Sequence, residues 1–471
     1  MKKNRHFLPT SKKAKTAWSS ENHSEDISEN ILFGKIASEI RRETPVALET
    51  VAVIGLGYVG LPLALLADKK GHKVIGIDTN TDLIKSIQKH KAPNSINEKE
   101  QAFFSDHKIA ADTKFHPARN ANVIIICVPT PVHDDHSPDL RPLIEAAQSV
   151  APMTKPGTLV IIESTVSPGV TENIVLPIFE KNKQLIREET LFFAHCPERI
   201  NPGDPVWDLS TIPRVVGGIG PKSLEKAVAF YSRLLKGVIQ PMRSLKEAEA
   251  VKMVENSFRD INIAFVNELA MSFQKLGIDI IDVIEGASTK PFGFMTHFPG
   301  IGVGGHCIPV DPYYLIEEAA RNGFNHRFLK AARKVNNNMP RFTAQLLKKT
   351  MSHQGKKLKR SHVTLLGLAY KKNIADTRES PALRMKSELE QMGAVVTTFD
   401  PYVPHLSSAS SLDEALHNAS AVVIATDHQL FTTLTPKQLL QHRVPIIVDG
   451  RNCLSKEEFI NGGVTYVGIG R

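Results

Sequence analysis

The chain has 471 residues, which is too long for one ordinary hydrophobic core and indicates two or three domains. Its hydrophobic content of 42% and charged content of 23% are typical of a globular protein and exclude a disordered or fibrous one. No run reaches the roughly 18 consecutive apolar residues of a membrane helix, and the basic start has no apolar segment after it. We therefore expect neither integral membrane association nor a secretory signal.

Four cysteines occur, and they are far apart in the sequence: Cys127, Cys196, Cys307 and Cys453. No pair has the C-x-x-C spacing of a zinc site, so the sequence predicts neither a metal centre nor a disulfide framework. Unpaired thiols are typical of a reducing compartment, and we expect a cytoplasmic protein.

The net charge of +9 is concentrated in two short segments. Residues 1–15 and residues 348–360 each carry six basic side chains and no acidic one, and the rest of the chain is close to neutral. Basic segments can bind polyanions, but no aromatic-rich or nucleic-acid recognition motif accompanies either of them. The pattern favours a solvated tail and a charged linker, with no nucleic-acid partner.

The chain is polar at first and then alternates between strands and helices. Residues 1–26 resemble a disordered tail, and residues 27–42 have apolar side chains at the spacing of a short amphipathic helix. From residue 51, apolar strands at 123–128, 159–162 and 191–194 alternate with helical patterns. Alternation of this kind predicts a mostly parallel sheet covered by helices.

A long helix separates this region from a second α/β region. Residues 244–276 contain no proline or glycine, the longest uninterrupted helical pattern in the chain. After the basic segment come four short apolar strands with the sequences VTLLGLAY, VVTTFDP, AVVIATD and VPIIVDG. The predicted fold class is α/β, with an N-terminal and a C-terminal α/β domain joined by a long helical connector.

A glycine-rich turn follows the first predicted strand and opens the first predicted helix. Gly55, Gly57 and Gly60 form the G-x-G-x-x-G pattern, which permits a tight turn, close approach of a pyrophosphate, and packing of helix on strand. Asp78 ends the second strand 23 residues after Gly55. A carboxylate there accepts hydrogen bonds from ribose hydroxyls and repels a 2′-phosphate, so the turn predicts NAD rather than NADP.

A second glycine-rich segment ends at a cysteine. Gly300, Gly302, Gly304 and Gly305 precede His306 and Cys307, and Asp311 follows four residues later. A lone cysteine is usually an inert core residue, but a backbone that a ligand can approach and a nearby carboxylate favour a nucleophile. His306 is either a base or a positioning residue.

Three polar side chains share one face of the long helix. Lys252, Asn256 and Arg259 are spaced at i, i+4 and i+7, beside an apolar stripe that includes Val254 and Phe258. The stripe predicts that the polar face borders the interior, where a cation and an amide stabilise an oxyanion. The other interpretation, a solvated polar face, stays open at this point.

Several motifs occur in a fixed order between about residue 45 and the end: GLGYVG, VPTP, ESTV, CPER, KMVEN, GVGGHC-x-x-x-D and GLAYKKN-x-x-D-x-RESP. In this order they resemble the nucleotide-sugar 6-dehydrogenases, the family that includes UDP-glucose and GDP-mannose dehydrogenases. The resemblance implies that both α/β domains are Rossmann-like and doubly wound, and that the long helix is dimerising, hence a homodimer or higher homo-oligomer. It implies three regions: an NAD-binding domain at 45–240, a helical connector with the cysteine loop at 241–345, and a UDP-sugar-binding domain at 346–471. The basic, largely disordered tail with its short helix occupies residues 1–44, before the resemblance begins.

Within the family, ASTKPFGF and CPERINPG most resemble the branch that acts on UDP-N-acetylhexosamines, particularly UDP-N-acetylglucosamine. UDP-glucose enzymes typically carry a second acid four residues after the glutamate that matches Glu198. Here that position is Pro202, and Arg199 follows Glu198 directly. The difference counts against UDP-glucose as the natural substrate.

The resemblance also implies roles for individual residues. Cys307 matches the nucleophile that captures the C6 aldehyde, Lys252 and Asn256 match residues that stabilise the oxygen at C6, and Asp311 matches the acid that helps activate the cysteine or the water. Thr165 and Glu198 match residues near the hydrolytic water. The positions that match nucleotide-sugar contacts are Arg199, Ile200, Lys252, Asn256, Arg259, Gly304, Tyr370 and Lys371. The positions that match NAD contacts are Gly55, Gly57, Tyr58, Val59, Gly60, Asp78, Thr130, Thr165 and Arg378.

The sequence therefore predicts NAD-dependent four-electron oxidation of UDP-N-acetylglucosamine to its uronic acid, for surface polysaccharide synthesis. Alternatives are the same chemistry on UDP-N-acetylmannosamine, UDP-N-acetylgalactosamine or UDP-glucose. A two-electron hydroxyacid dehydrogenase shares the glycine turn but needs neither Cys307 nor a second α/β domain. A regulator that only binds a dinucleotide would not need Cys307, Lys252, Asn256 and Asp311 together.

Overall fold

The computed structural model describes residues 48–91, 104, 109–133, 135, 137–200 and 206–471. The basic tail and the short helix predicted at residues 27–42 lie outside the described residues. Among the described helices, none is both long enough and apolar enough to cross a membrane.

The first sheet contains eight described strands in the order β3-β2-β1-β4-β5-β6-β7-β8. Their bounds are β1 Thr50–Ile54, β2 Lys73–Ile77, β3 Ala110–Asp112, β4 Val123–Ile126, β5 Thr158–Ile162, β6 Leu191–His195, β7 Arg214–Gly218 and β8 Ile239–Met242. Neighbouring strands are parallel except β6 and β7. The strands predicted near residues 51, 123, 159 and 191 are confirmed, because strands buried on both faces appear as continuous apolar runs.

Helices cover both faces of this sheet and enclose a hydrophobic core on each side. They are α1 Gly60–Lys69, α2 Thr81–Gln88, α3 Arg141–Val150, α4 Leu176–Glu180 and α5 Pro221–Leu234. Strand β1 has β2 on one side and β4 on the other, so the order of the sheet reverses there. Ligands of open α/β sheets bind at such a reversal, beyond the carboxyl ends of the strands.

The predicted long helix is α6, Leu245–Leu276. The Ser244 side chain accepts a hydrogen bond from the Glu247 amide and caps its start, and Gly277 at φ 70° ends it. Three further helices follow: α7 Ile280–Ser288, α8 Asp311–Arg321 and α9 Arg327–His353. Helices α6 and α9 pack together and join the second domain, since Val266, Ala270 and Met339 belong to its core.

The second sheet is parallel throughout, in the order β10-β9-β11-β12-β13. Its strands are β9 His362–Leu366, β10 Val395–Phe399, β11 Ala421–Ile424, β12 Ile446–Asp449 and β13 Thr465–Gly468. Its helices are α10 Pro381–Gln391, α11 Leu412–Leu416, α12 Gln429–Thr432, α13 Pro436–Gln441 and α14 Lys456–Asn461. The predicted fold class is confirmed. Strands β3, β7, β8 and β13 were not predicted, because they are short or carry polar residues.

Candidate active site

The turn between β1 and α1 is compact on one side and open on the other. The Gly55 amide donates a hydrogen bond to the Ile77 carbonyl at 2.8 Å, and a Cβ on Gly60 would lie 1.8 Å from the Gly55 carbonyl oxygen. Around Gly57, in contrast, a Cβ would meet no atom within 4 Å. The backbone of the turn thus borders free space at a helix N-terminus, which fits the pyrophosphate of a dinucleotide.

Asp78 lies beside this turn, at the end of β2. Its Oδ2 accepts a hydrogen bond from the Leu56 amide at 2.7 Å, and its Oδ1 accepts one from the Asn80 amide at 2.8 Å. The side chain is only half-buried, so lone pairs of both oxygens remain available to a ligand. Asp78 therefore both braces the turn and presents a half-exposed carboxylate beside it.

The other predicted cofactor residues of the first domain surround the same edge of the sheet. Tyr58 is 50% exposed, and Val59 immediately precedes α1. The Thr130 hydroxyl donates to the Thr165 carbonyl at 2.6 Å and links the loops that follow β4 and β5. The Tyr314 hydroxyl of α8 donates to the Thr130 carbonyl at 2.5 Å. This bond attaches α8, the helix that follows the cysteine loop, to the loop after β4, at the edge of the sheet where the cofactor turn lies.

The cysteine loop also packs against the second domain. A Cβ on Gly304 would lie 2.6 Å from Tyr370 Cβ, and one on Gly305 would lie 2.9 Å from the Tyr370 ring. The Gly305 amide donates to the Arg378 carbonyl at 2.9 Å. Only glycine permits this close approach, which places Cys307 at the boundary between the two α/β domains.

Helix α6 brings two of its predicted polar residues to the cysteine. Lys252 and Asn256 are 8% and 7% exposed, and Asn256 Nδ2 donates to Asp311 Oδ2 at 2.5 Å. The Asp311 amide in turn donates to the Cys307 carbonyl at 2.8 Å. These four predicted residues form one cluster.

The electrostatics of the cluster keep the thiol protonated in the protein without ligands. Burial raises the pKa of Cys307 to about 11, and the charge of Asp311 adds to this effect while Lys252 opposes it. Burial also raises the pKa of Asp311 to about 6, against the effects of Lys252 and Asn256. Within the described ranges, no three His, Cys, Asp or Glu side chains are grouped as ligands for a metal ion.

The prediction that the polar face of α6 borders the interior is confirmed for Lys252 and Asn256 and is wrong for Arg259, although the apolar stripe from which it was inferred is itself exposed at two positions. Val254 and Phe258 are 58% and 45% exposed, whereas Lys252 and Asn256 are buried between the domains. Arg259, the third predicted residue of the face, is exposed, and its charge still acts on Cys307. Periodicity identifies the two faces of a helix, but buried polar partners invert the usual assignment of which one is inside.

Glu198 lies in a buried network that sequence reasoning missed. Its Oε2 accepts a hydrogen bond from Arg214 Nη2 at 2.7 Å, and Arg214 is fully buried. Arg214 also pairs with Glu163 at 3.5 Å, and the Tyr231 hydroxyl donates to Glu163. Burial, together with the charge of Glu198, raises the pKa of Glu163 to about 7, although Arg214 opposes this effect. Two features of the sequence could have indicated this network: Arg214 begins an apolar strand, and Glu163 directly follows another.

The residues after Glu198 are fixed by it. Glu198 Oε1 accepts hydrogen bonds from the amides of Arg199 and Ile200, both at 2.6 Å. The Arg199 guanidinium pairs with Glu255 of α6 and donates to the Pro213 carbonyl at 2.9 Å. The predicted substrate residue Arg199 therefore lies next to α6, with part of its donor set already used.

The second domain contributes Tyr370, Lys371 and Arg378. The Tyr370 amide donates to the Asp376 carbonyl at 3.0 Å, and Arg378 forms a bidentate pair with the Asp376 carboxylate. Desolvation by the surrounding protein and the nearby Arg378 charge lower the pKa of His306 to about 4, so His306 is neutral at pH 7. Arg378, which is predicted to bind ligand, is thus close enough for its charge to act on both His306 and Cys307.

The fold and the site define an oxidoreductase with a dinucleotide turn in one α/β domain and a buried cysteine cluster where the second domain meets it. Sequence models of three domains of the UDP-glucose/GDP-mannose dehydrogenase family match the chain: the NAD binding domain at residues 49–235, the central domain at 246–338 and the UDP binding domain at 364–456. The chain belongs to this family and is an NAD-dependent UDP-sugar dehydrogenase.

Individual relatives cover nearly the whole chain. It is 37% identical to UDP-N-acetyl-D-mannosamine dehydrogenase of Pyrococcus horikoshii over 428 residues, which are 89% of this chain and 99% of the relative. It is 37% identical to UDP-N-acetyl-D-glucosamine 6-dehydrogenase of Pseudomonas aeruginosa over 380 residues, 80% of this chain and 86% of the relative. The solved structure of the P. horikoshii UDP-D-ManNAc dehydrogenase matches with a TM-score of 0.83, covering 90% and 99% of the two chains.

Proposed function

We propose that this enzyme oxidises the C6 hydroxyl of UDP-N-acetylglucosamine to a carboxylate, in the cytoplasm and for surface polysaccharide synthesis. The observation that carries the proposal is the cluster of Cys307 with buried Lys252, Asn256 and Asp311 between a dinucleotide turn and a UDP-binding domain. Oxidation of an alcohol to an acid removes four electrons, and NAD accepts them as two hydrides when bound. A protein that only binds NAD has no need of this cluster.

Cys307 supplies the covalent step. After the first oxidation, its sulfur adds to the aldehyde carbon, and the thiol proton moves to the aldehyde oxygen, giving a thiohemiacetal. The second oxidation converts this species to a thioester, and water then releases the carboxylate and restores the thiol. Because the pKa of Cys307 is about 11 in the free protein, the thiol needs a neighbouring group to accept its proton when the sulfur attacks.

The buried polar groups around the sulfur fit the other parts of this chemistry. Lys252 and Asn256 are proposed to hold the oxygen at C6, where negative charge develops during both additions to that carbon. Asp311, with a pKa of about 6, can hold or release a proton near neutral pH and so serves the thiol or the water. Thr165 and Glu198 are proposed to lie near that water.

The remaining predicted residues are proposed to hold the two nucleotides. Gly57 and Asp78 border the free space at the cofactor turn, with Tyr58, Val59, Thr130 and Arg378 as further NAD contacts. The proposed nucleotide-sugar contacts are Arg199, Ile200, Arg259, Gly304, Tyr370 and Lys371. The position of Gly304 supports the assignment of the nucleotide-sugar contacts, since its backbone lies against Tyr370 and is three residues from Cys307.

The choice of N-acetylglucosamine rests on ASTKPFGF and on Pro202 and Arg199 after Glu198. The second candidate is UDP-N-acetylmannosamine, which is favoured by the names of several relatives. The two sugars differ only in configuration at C2. Oxidation of UDP-N-acetylgalactosamine or UDP-glucose is the remaining alternative.

A panel of these four UDP-sugars, followed by NADH absorbance, tests the proposal. We expect two NADH for each sugar oxidised, and a kcat/KM for UDP-N-acetylglucosamine on the order of 10²-fold above that for UDP-glucose. C307A should form no acid and still bind NADH. A ratio of one NADH would contradict the covalent mechanism, whereas preference for another sugar would contradict only the substrate assignment.

We also propose a homodimer built on the outer face of α6. Val254, Phe258 and Phe265 are all at least 45% exposed on this helix, and an apolar stripe of that kind is typical of an interface. Light scattering after size exclusion should give a dimer for the unsubstituted protein and a smaller species for F258E. F292E, which changes an exposed phenylalanine elsewhere, is the control.

A further inference from the structure

The turn that follows β9 repeats the hydrogen bonding of the cofactor turn that follows β1. The Gly367 amide donates to the Phe399 carbonyl at 2.9 Å, just as the Gly55 amide donates to the Ile77 carbonyl at 2.8 Å. The two glycines have nearly the same φ, 91° and 90°. The same backbone turn therefore occurs once in each α/β domain.

Each turn is also braced by an aspartate from the end of the neighbouring strand. Asp400 Oδ2 accepts a hydrogen bond from the Leu368 amide at 2.6 Å, as Asp78 Oδ2 does from the Leu56 amide at 2.7 Å. The two carboxylates differ in exposure, since Asp78 is half-buried and Asp400 is completely buried. The side of the carboxylate that is open to solvent in Asp78 is therefore covered by another group of the protein in Asp400.

The group that covers Asp400 is the imidazole of His428. His428 is completely buried, its Nε2 lies 3.0 Å from Asp400 Oδ2, and its Nδ1 lies 2.8 Å from the Asn373 amide nitrogen. An amide can only donate, so Nδ1 accepts and carries no proton. Nε2 carries the ring proton and donates a hydrogen bond to Asp400. Both nitrogens of a neutral ring are thus fully used.

These bonds fix both ends of residues 368–373. At the start, the Leu368 and Ala369 amides donate to Asp400, and the Thr426 hydroxyl donates to the Ala369 carbonyl at 2.6 Å. Burial would raise the pKa of Asp400, but the bonds from His428 and the two amides outweigh it and lower this pKa to about 2. At the end, Asn373 has a φ of 58°, in the left-handed region that asparagine adopts more readily than most residues other than glycine.

This geometry excludes a catalytic dyad. A histidine that acts as a base needs a free nitrogen facing a substrate, and the Nδ1 of His428 is occupied by a backbone amide. The ring is instead enclosed on its faces and edges, stacked on Tyr402 at 4.8 Å and packed against Phe431. Its role has to be exerted through the backbone that it holds.

We propose that His428 is a positioning residue that holds residues 368–373 in the conformation in which Tyr370 and Lys371 bind the uridine diphosphate part of the substrate. This rests on the proposed function, which assigns those two side chains to the nucleotide sugar. His428 joins a carboxylate at the start of the segment to an amide at its end, and so fixes the path of the backbone between them. A second bond at the same end, from the Gln429 amide to Asn373 Oδ1 at 3.1 Å, comes from the residue that follows His428.

Calorimetric titration of the intact enzyme with UDP, and separately with NADH, tests this role. H428A should weaken UDP binding at least about tenfold, since the loss of one buried bonding group at a preorganised site is commonly this large. NADH affinity should fall much less, by no more than about twofold, because all the proposed NAD contacts except Arg378 lie in the other domain. H428N places an acceptor near the position of Nδ1 and should recover part of the UDP affinity.

H442A is the matched control, because His442 also pairs with an aspartate of this domain, Asp413 at 3.1 Å, without touching residues 368–373. It should leave both affinities unchanged. If H428A does not fold, H428N and H428Q, which retain one bond each, give the same comparison. Equal loss of UDP and NADH affinity, or unchanged UDP affinity in all His428 variants, would overturn the proposal. Failure of the unsubstituted enzyme to bind UDP would instead contradict the proposed function on which it rests.

Discussion

Asn256 Nδ2 donates a hydrogen bond to Asp311 Oδ2 at 2.5 Å, and both side chains are more than nine-tenths buried. The bond joins α6 to the first residue of α8, the helix that begins four residues after Cys307. Lys252 lies one turn before Asn256, so the same bond sets the distance between the lysine and the sulfur. One side-chain contact thus aligns groups that are 55 residues apart in the sequence.

Removal of this bond should cost both stability and activity. N256A leaves the buried Asp311 carboxyl without a side-chain donor, and the free energy of unfolding should fall by about 1–3 kcal/mol. N262A is the control, because the Asn262 side chain also donates from α6, to the Phe258 carbonyl at 2.7 Å, but on its exposed side. Urea unfolding and steady-state kcat measure the two effects. Equal stability of N256A and N262A would contradict the structural role of the bond.

The reactivity of Cys307 should depend on pH in an unusual range. With a pKa of about 11, its thiol is almost entirely protonated at pH 7, and alkylation by iodoacetamide should accelerate tenfold per pH unit up to at least pH 10. K252M removes a cation that favours the thiolate and should slow alkylation further. The rate is measured by mass spectrometry of the cysteine peptide, and C307S gives the background from the other thiols. A rate that levels off near pH 7 would contradict the raised pKa of Cys307.

Asp78 should select NAD over NADP. D78N keeps an acceptor for the Leu56 amide and removes the charge, so NAD should bind about tenfold more weakly and the discrimination against NADP should narrow. D82N is the control, because the Asp82 side chain is 92% exposed on the next helix. Fluorescence titration with both cofactors measures the ratio. Unchanged discrimination in D78N would show that another group excludes the 2′-phosphate.

Glu249 should make folding less favourable as the pH rises. Its carboxylate accepts hydrogen bonds from the Gly169 and Thr171 amides, at 2.5 and 2.8 Å, yet burial raises its pKa from 4.5 to about 7. Between these values the folded state holds a proton that the unfolded chain releases, so stability falls with rising pH, by at most about 1.4 kcal/mol per unit.

E249Q carries no ionisable group and should lose this part of the pH dependence. Its free energy of unfolding should therefore rise relative to the unsubstituted protein between pH 5 and pH 7.5, as measured by urea unfolding. E268Q changes an exposed glutamate of the same helix and should leave the pH dependence unchanged. Parallel pH profiles for E249Q and the unsubstituted protein would contradict the raised pKa.

Local features of this protein were predictable because neighbouring residues encode them. The cofactor turn at Gly55 to Gly60, the strands of four or five apolar residues, and the helix at Leu245–Leu276 all follow from patterns within a few turns of chain. Cys307, Lys252, Asn256 and Asp311 were also identified beforehand, by residue type, spacing and family motifs. The structure adds that the four form one cluster.

Contacts between distant segments were decided by the tertiary structure alone. No local pattern indicates that Arg214 neutralises Glu198, that Gly304 packs on Tyr370, or that His428 closes over Asp400. The apolar stripe with Phe258 predicted that the polar face beside it borders the interior, and Lys252 and Asn256 are indeed buried. Phe258 itself faces outward, because polar partners from other segments cover the polar face instead. A sequence pattern indicates that one face of a helix or strand is polar and the other apolar. Which face is buried depends on what the rest of the chain brings against it, since the cost of burying a polar group is offset only by partners that folding supplies.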